Sequence, residues 1–260
     1  LSGPPLEVEV TKRVPIAGGM GGGSADAAAT LVACDELWGT GVGRAGLHHL
    51  AAELGADVPF ALEGGTAVGT GRGDELSQAL TTGHFHWVLA LDDSGLSTPV
   101  VYRTLDEHRD QYREALLPAP AQPSVDTAVL QAVRLGNAAS LAEAMHNDLQ
   151  VAALKLSPPL AELLELGESR GALAGIVSGS GPTIAFLVPS AVEAAELQGV
   201  LSRAGRRTLI VPGPVPGARV LGGGGPIPAQ LRDDLTDAMH VVAREARTIE
   251  GRLSKSDWIV

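Results

Sequence analysis

The chain has 260 residues, of which 45% are hydrophobic and 19% charged, so it can bury one large core or two modest ones and is not a disordered segment. With 30 Asp and Glu against 19 Lys and Arg its net charge is −11. That balance excludes a broad nucleic-acid or anionic-membrane surface, though not a small anion held by backbone amides.

Aromatic side chains make up only 3%, so the core is built from Ala, Val and Leu. The one cysteine, Cys34, permits no intramolecular disulfide and reads as a small buried hydrophobe rather than a nucleophile. No basic-then-apolar leader opens the sequence, and a cytoplasmic protein is expected. The 33 glycines and 17 prolines follow no collagen-like period and point to several loops whose backbone geometry matters.

Leu6, Val8 and Val10 alternate with Glu7, Glu9 and Thr11, which predicts a half-buried strand whose sheet partners precede it. A glycine-rich turn follows over Ala17 to Gly23, then a helix over Ala25 to Trp38 with Ala27, Leu31, Cys34 and Trp38 on one stripe and Gly39 as its C-terminal cap. Leu47, Leu50, Ala51 and Leu54 mark a second helix that stops at Gly55. Gly65 to Leu76 reads as strand and loop, and His86 to Asp93 as a buried strand. Leu117 to Ser124 is a breaker-rich connection. Helices are predicted over Val125 to Leu135, Ser140 to Leu154, Leu160 to Ser169 and Ala191 to Ala204. The longest charge-free run, Gly171 to Val192, carries SGSGPT at its centre and reads as strand, turn and strand rather than a membrane span. Leu221 to Gln230 is a Gly/Pro joint, and Met239, Val242, Ala246, Ile249 and Leu253 give a helical tail with one apolar seam. The mixture of helices and hairpins predicts an α+β fold.

Pro15 to Ala29, PIAGGMGGGSADAAA, carries the strongest chemical signal. Glycine removes the Cβ that keeps a ligand away, so successive N–H groups can converge. Joined to a helix start, they favour a polyphosphate, and the Ser24 hydroxyl can reach a phosphate or Mg²⁺. The plainer alternative is a tight turn with Ser24 as N-cap, but five glycines in six positions exceed what capping needs. The run lacks a Gly-Lys-Ser/Thr ending and matches no G-x-G-x-x-G register. The one such match, Gly41 to Gly46, follows a helix and carries no dinucleotide signal. In GADVPF, Asp57 alone reads as an N-cap. SGSGPT, Ser178 to Thr183, reads as a hairpin turn able to close over the same phosphates. His84 and His86 alternate with no further His or Cys at ligand spacing, so no metal site is assigned to them.

The segments KRVPIAGGMGGGSADAA, LGADVPFALEGGTAVGTGRG, GLSTPVVY, MHNDL and GIVSGSGPT, in this order, resemble the GHMP kinase superfamily from about Glu7 to Val220. The resemblance implies a two-domain fold: a ribosomal-protein-S5-like ATP domain over residues 1–93, here incomplete, and an α/β-plait C-terminal domain over 94–221. A linker and tail over 222–260 follow. It implies ATP and Mg²⁺, and a cytidine diphosphate-linked methylerythritol whose 2-hydroxyl is phosphorylated in non-mevalonate isoprenoid biosynthesis. Pro15, Ile16, Ala17, Gly18, Gly19, Met20, Gly21, Gly22, Gly23, Ser24 and Ala25 would wrap the ATP phosphates, and Asp57 would be the catalytic carboxylate. Thr98 and Tyr102 would line the cytidine site, and Gly179, Ser180 and Gly181 would lie near the phosphates. From the residues alone Tyr102 reads as packing near a strand end. Lys12 reads as a phosphate contact or a solvated strand-edge lysine. The PGKVNL-like motif and Tyr-His pair of the family are absent from this sequence. That leaves two other readings, a truncated non-catalytic nucleotide-binding module and a kinase of another small alcohol.

Overall fold

The computed structural model describes residues 8, 10–114 and 126–220. By its internal contacts the chain divides into two compact units, each considered by itself. The first draws on residues up to Val14, Gly21–Ser77 and those from Pro216 on; the second on Pro15–Met20 and Gln78–Val215.

The first unit holds α1 (Gly22–Trp38), α2 (Gly43–Leu54), α3 (Val58–Glu63) and the hairpin β1 (Ala67–Thr70)–β2 (Glu75–Gln78). Gly39 ends α1 in the left-handed conformation, its N–H bonded to the Asp35 and Glu36 carbonyls, as its sequence position predicts. Ala28, Leu47, Ala51, Val58 and Leu62 form the core on which the three helices meet. Leu62 is fully buried, a contribution of about 1.5–3 kcal/mol. Residues 216–220 close against the end of α3, where Ala218 N–H donates to the Ala61 carbonyl at 3.0 Å. Arg44 binds the same place, donating to the carbonyls of Leu62 and Ala218 and to the Glu63 carboxylate.

The second unit is a four-stranded antiparallel sheet, ordered β4 (Ala174–Val177), β5 (Ile184–Val188), β3 (Phe85–Leu91), β6 (Arg207–Gly213), with helices α4 (Thr98–Gln111), α5 (Thr127–Leu135), α6 (Ala138–Ala144), α7 (Gln150–Leu156), α8 (Pro159–Glu168) and α9 (Ala191–Arg203). Val88, Ala90, Ile184, Phe186 and Val188 pack with Leu160, Leu163, Leu164, Leu197 and Leu201 of α8 and α9. Phe85 and Leu187 pack on the other face with Ala132, Val133 and Leu141 of α5 and α6. Both faces are covered, which is why β3 reads as an almost continuous apolar run. Gly167 and Gly175 leave room for the Phe186 ring, which any Cβ at either position would strike.

Several expectations are corrected. Val8 and Val10–Arg13 are not a strand: Val10 is buried while Thr11 and Arg13 are exposed, so the alternation persists without a ladder among the described residues. The single helix predicted over Ser140 to Leu154 is two, α6 and α7. The apolar period runs on through Leu141, Ala152 and Ala153, but the Asn147 side-chain oxygen accepts from Leu149 N–H at 2.9 Å and turns the chain between them. Helix α1 begins at Gly22 rather than Ala25, so Ser24 lies inside its first turn and is not its N-cap. Helix α4 and the edge strand β6 are elements that the sequence reading did not predict. The charge-free run is the β4–β5 hairpin, and no helix among the described residues is long and apolar enough to cross a membrane. The strand residues Leu6, Glu7 and Glu9, the connection Leu117 to Ser124, the joint from Leu221 and the tail helix lie outside the described residues.

Candidate active site

The glycine run passes from the second unit to the first between Met20 and Gly21. In the first unit it becomes the start of α1. Gly21 occupies the N-cap position with φ 62°, a left-handed conformation that costs any other residue about 1 kcal/mol or more. No side chain caps the helix and no acidic residue lies in its first turn. A Cβ at Gly23 would meet nothing within 4 Å, so neither packing nor an unusual φ accounts for glycine there. A ligand lying against the backbone would.

Lys12 stands beside this helix start. Its Nζ forms an ion pair with Asp26, and a Cβ at Gly22 would lie 3.3 Å from it. A cation at the positive end of a helix dipole is unfavourable unless anions join it, and Asp26 supplies only one negative charge. The reading of Lys12 as a solvated strand-edge residue is therefore replaced by a half-buried, ion-paired lysine at the mouth of α1.

Asp57 takes the N-cap position of α3 but makes no capping bond, and it is exposed. Pro59, without an N–H, removes one of the donors a cap would serve. The carboxylate sits at a helix start without serving that helix, contrary to the plain N-cap reading of GADVPF.

In the second unit, Pro15–Met20 lies on the β4–β5 turn. Ser178 Oγ donates to the Gly19 carbonyl at 2.7 Å, and Thr183 N–H donates to the Gly18 carbonyl at 3.3 Å. Gly19 has φ 72°, and a Cβ there would collide with the Ser178 carbonyl oxygen. Leu96 N–H donates to the Ala17 carbonyl at 3.3 Å, while Ile16 projects outward. Within the turn, Gly179 and Gly181 have positive φ and Gly181 N–H closes on the Ser178 carbonyl at 2.8 Å. Ser180 is buried and its hydroxyl meets that of Thr98 at 2.9 Å, so Gly18, Gly19, Gly179, Ser180, Gly181 and Thr98 are brought together. Thr98 opens α4 and Tyr102 follows one turn later on the same face, 52% exposed. Tyr102 is thus a helix residue with a free ring surface, not packing near a strand end.

Asn147, inside the MHNDL segment, and Gln150 were given no role from the sequence, yet both brace this turn. Asn147 Nδ2 donates to the carbonyls of Val177 and Gly179, and Gln150 Oε1 accepts from Val177 N–H. The signal available was the pair Asn147-Asp148 in MHNDL, two Asx-turn formers inside a helical period. Among the described residues no cluster of three His, Cys, Asp or Glu could hold a metal ion. Cys34 is half-buried rather than fully buried, and this desolvation pushes its thiol pKa up, which disfavours the thiolate.

Comparison with known proteins agrees with these features. Residues 1–65 match the model of the GHMP kinases N terminal domain, and residues 129–207 that of the GHMP kinases C terminal domain. The chain is 63% identical over 216 residues to the 4-diphosphocytidyl-2-C-methyl-D-erythritol kinase of Leifsonia xyli subsp. xyli, covering 83% of this chain and 71% of that protein. To the enzyme of the same name from Clavibacter michiganensis subsp. michiganensis it is 59% identical over 218 residues, 84% and 70% of the two chains. A crystal structure of 4-(cytidine 5'-diphospho)-2C-methyl-D-erythritol kinase superimposes with TM-score 0.62 at 30% identity, over 76% of this chain and 67% of that one. The homoserine kinase of Cytophaga hutchinsonii, at 16% identity and TM-score 0.62 over 80% and 69%, shares the fold. The chain belongs to the GHMP kinase family, and within it to the 4-diphosphocytidyl-2-C-methyl-D-erythritol kinases.

Proposed function

We propose that the chain transfers the γ-phosphoryl group of ATP to the 2-hydroxyl of 4-diphosphocytidyl-2-C-methyl-D-erythritol, a step of non-mevalonate isoprenoid biosynthesis, in the cytoplasm. The observation that carries this reading is the start of α1. A 17-residue helix leaves a glycine run with no side-chain cap and no acidic first turn, and has Lys12 beside it. Uncapped amides and a lysine together suit a multiply charged anion, as a nucleotide triphosphate is. The relatives' names supply the acceptor.

In this reading Pro15 to Ala25 wraps the phosphates, and the turn at Gly179, Ser180 and Gly181 keeps Gly18 and Gly19 in place. The Ser24 hydroxyl would help hold Mg²⁺, which would supply neutralising charge at the phosphates. Asp57, free of capping, takes or orients the proton of the 2-hydroxyl, a tertiary alcohol. Phosphoryl transfer asks little covalent chemistry of a protein, so positioning and charge carry the rate. Thr98 and Tyr102 receive the cytidine, the exposed Tyr102 ring offering a face to the cytosine. Residues 1–93 belong to the ATP domain and 94–221 to the C-terminal domain.

ADP release measured with the cytidyl substrate, homoserine and mevalonate in turn tests the assignment. Release with the cytidyl substrate alone is expected. Release with another alcohol instead overturns the acceptor, and ATP binding without release from any of them favours the non-catalytic module.

A further inference from the structure

Asn147 lies in the short connection between α6 and α7 and touches neither the glycine run nor Asp57. Both protons of its amide are nevertheless spent on one target, the β4–β5 turn: Nδ2 reaches the Val177 carbonyl at 2.8 Å and the Gly179 carbonyl at 2.7 Å. These oxygens only accept, so the amide orientation is fixed by chemistry, and Oδ1 is left to receive Leu149 N–H at 2.9 Å. Gln150, at the start of α7, takes the Val177 N–H at 2.9 Å. Both backbone polar groups of Val177 are thus held by side chains from one helix start. The next residue, Ser178, holds the Gly19 carbonyl, and Ser180 holds the Thr98 hydroxyl.

We propose that Asn147 is a positioning residue for the phosphate loop: it fixes the Ser178–Gly181 turn, and that turn sets the backbone of Gly18 and Gly19. This rests on the reading above that the loop takes ATP phosphates. A residue needed only to turn the chain between two helices requires the side-chain acceptor alone, which Asp or Ser supplies equally. The two donated bonds require the amide. They point at the turn, and through it at a loop more than 120 positions earlier in the sequence.

Asn147→Asp separates the two roles. It keeps the acceptor and the size, but when ionised it sets a negative oxygen against two carbonyls and donates nothing. In the full chain, hydrogen–deuterium exchange at pH near 7.5 is expected to rise about tenfold or more at the amides of Leu96 and Thr183, which donate to the Ala17 and Gly18 carbonyls of the loop, and at Ser178 and Gly181 of the turn. β3 and α9 should remain within about twofold of wild type. Mg-ATP, measured by titration calorimetry, is expected to bind about tenfold more weakly. Both changes, with exchange taken as protection factors, should recede as pH falls through the pKa of the new carboxyl, which once protonated donates one of the lost bonds. Faster exchange confined to 145–156, or spread evenly over the chain, overturns the proposal. Should Asn147→Asp fail to fold, Ser178→Ala cuts the next link with Asn147 intact and is expected to free the Leu96 and Thr183 amides, which donate to the loop, in the same way; unchanged exchange there overturns it. Wild-type chain that binds no Mg-ATP refutes the nucleotide reading, whereas the exchange pattern still judges the link from Asn147 to the loop.

Discussion

Ser178 Oγ donates a 2.7 Å hydrogen bond to the carbonyl of Gly19, joining two glycine-rich turns that lie 159 positions apart in sequence. Both turns hold glycines at positive φ, Gly19 and Gly179, and the loop presents carbonyls that need donors. The bond makes the loop and the turn one structure, so a change that loosens either is expected to appear in nucleotide affinity.

Gly19 and Gly23 should therefore respond differently to alanine. Gly19→Ala places a Cβ against the Ser178 carbonyl in a left-handed backbone and should cost about 1–3 kcal/mol, read as a lowered Tm. Gly23→Ala has open space around its Cβ and lies in a helix, so Tm should hold or rise by the equivalent of about 0.5 kcal/mol. Its Mg-ATP affinity should fall all the same, because the methyl group occupies the ground proposed for phosphate. Unchanged affinity in Gly23→Ala would remove the ligand explanation for that glycine.

Tyr102→Ala should raise KM for the cytidyl substrate about tenfold, with KM for ATP within about twofold. The ring is 52% exposed, so its loss should leave Tm nearly unchanged. Equal effects on both KM values would place Tyr102 outside the cytidine site.

Asp92 gives a pH prediction. The Ser94 hydrogen bond, with Arg206 beside it, holds its carboxyl below the ordinary aspartate value against the opposing effect of burial. A depressed folded-state pKa stabilises the fold above the ordinary value near 3.8 and ceases to do so as pH falls through the lower folded value. Asp92→Asn is expected to lose about 0.5–1 kcal/mol in urea melts at neutral pH, with the gap to wild type closing below about pH 4. A gap that persists at low pH would contradict the electrostatic origin.

Helices α1 and α2 of the first unit were legible because their signals are local: Gly39 and Gly55 cap them, and Leu47 and Ala51 mark the buried stripe of α2; the six-residue α3 is too short to show a period. The β4–β5 hairpin was legible from SGSGPT between apolar runs. The break between α6 and α7 was not, since Leu141, Ala152 and Ala153 keep one helical period across it and the cause is Asn147 reaching Leu149, Val177 and Gly179. Strand β6 is half exposed on a sheet edge, with a proline at Pro212, and so lacks the alternation that marks a strand. For the site, glycine composition pointed to the loop, while the pairing of Lys12 with Asp26 depends on an approach across 14 positions that no local pattern encodes. Asp57 read from its hexamer was an N-cap; only the unmade capping bond separates that role from the catalytic one proposed here.

The most direct test of the account is a ³¹P NMR time course of this chain with Mg-ATP and 4-diphosphocytidyl-2-C-methyl-D-erythritol, run beside Asp57→Asn. The account predicts a new phosphomonoester resonance with wild type, and a rate lower by about 10²–10⁴ in the variant at unchanged Mg-ATP affinity. A phosphomonoester formed at equal rates by both proteins would contradict the role of Asp57, and none from wild-type protein that binds Mg-ATP would contradict the kinase itself.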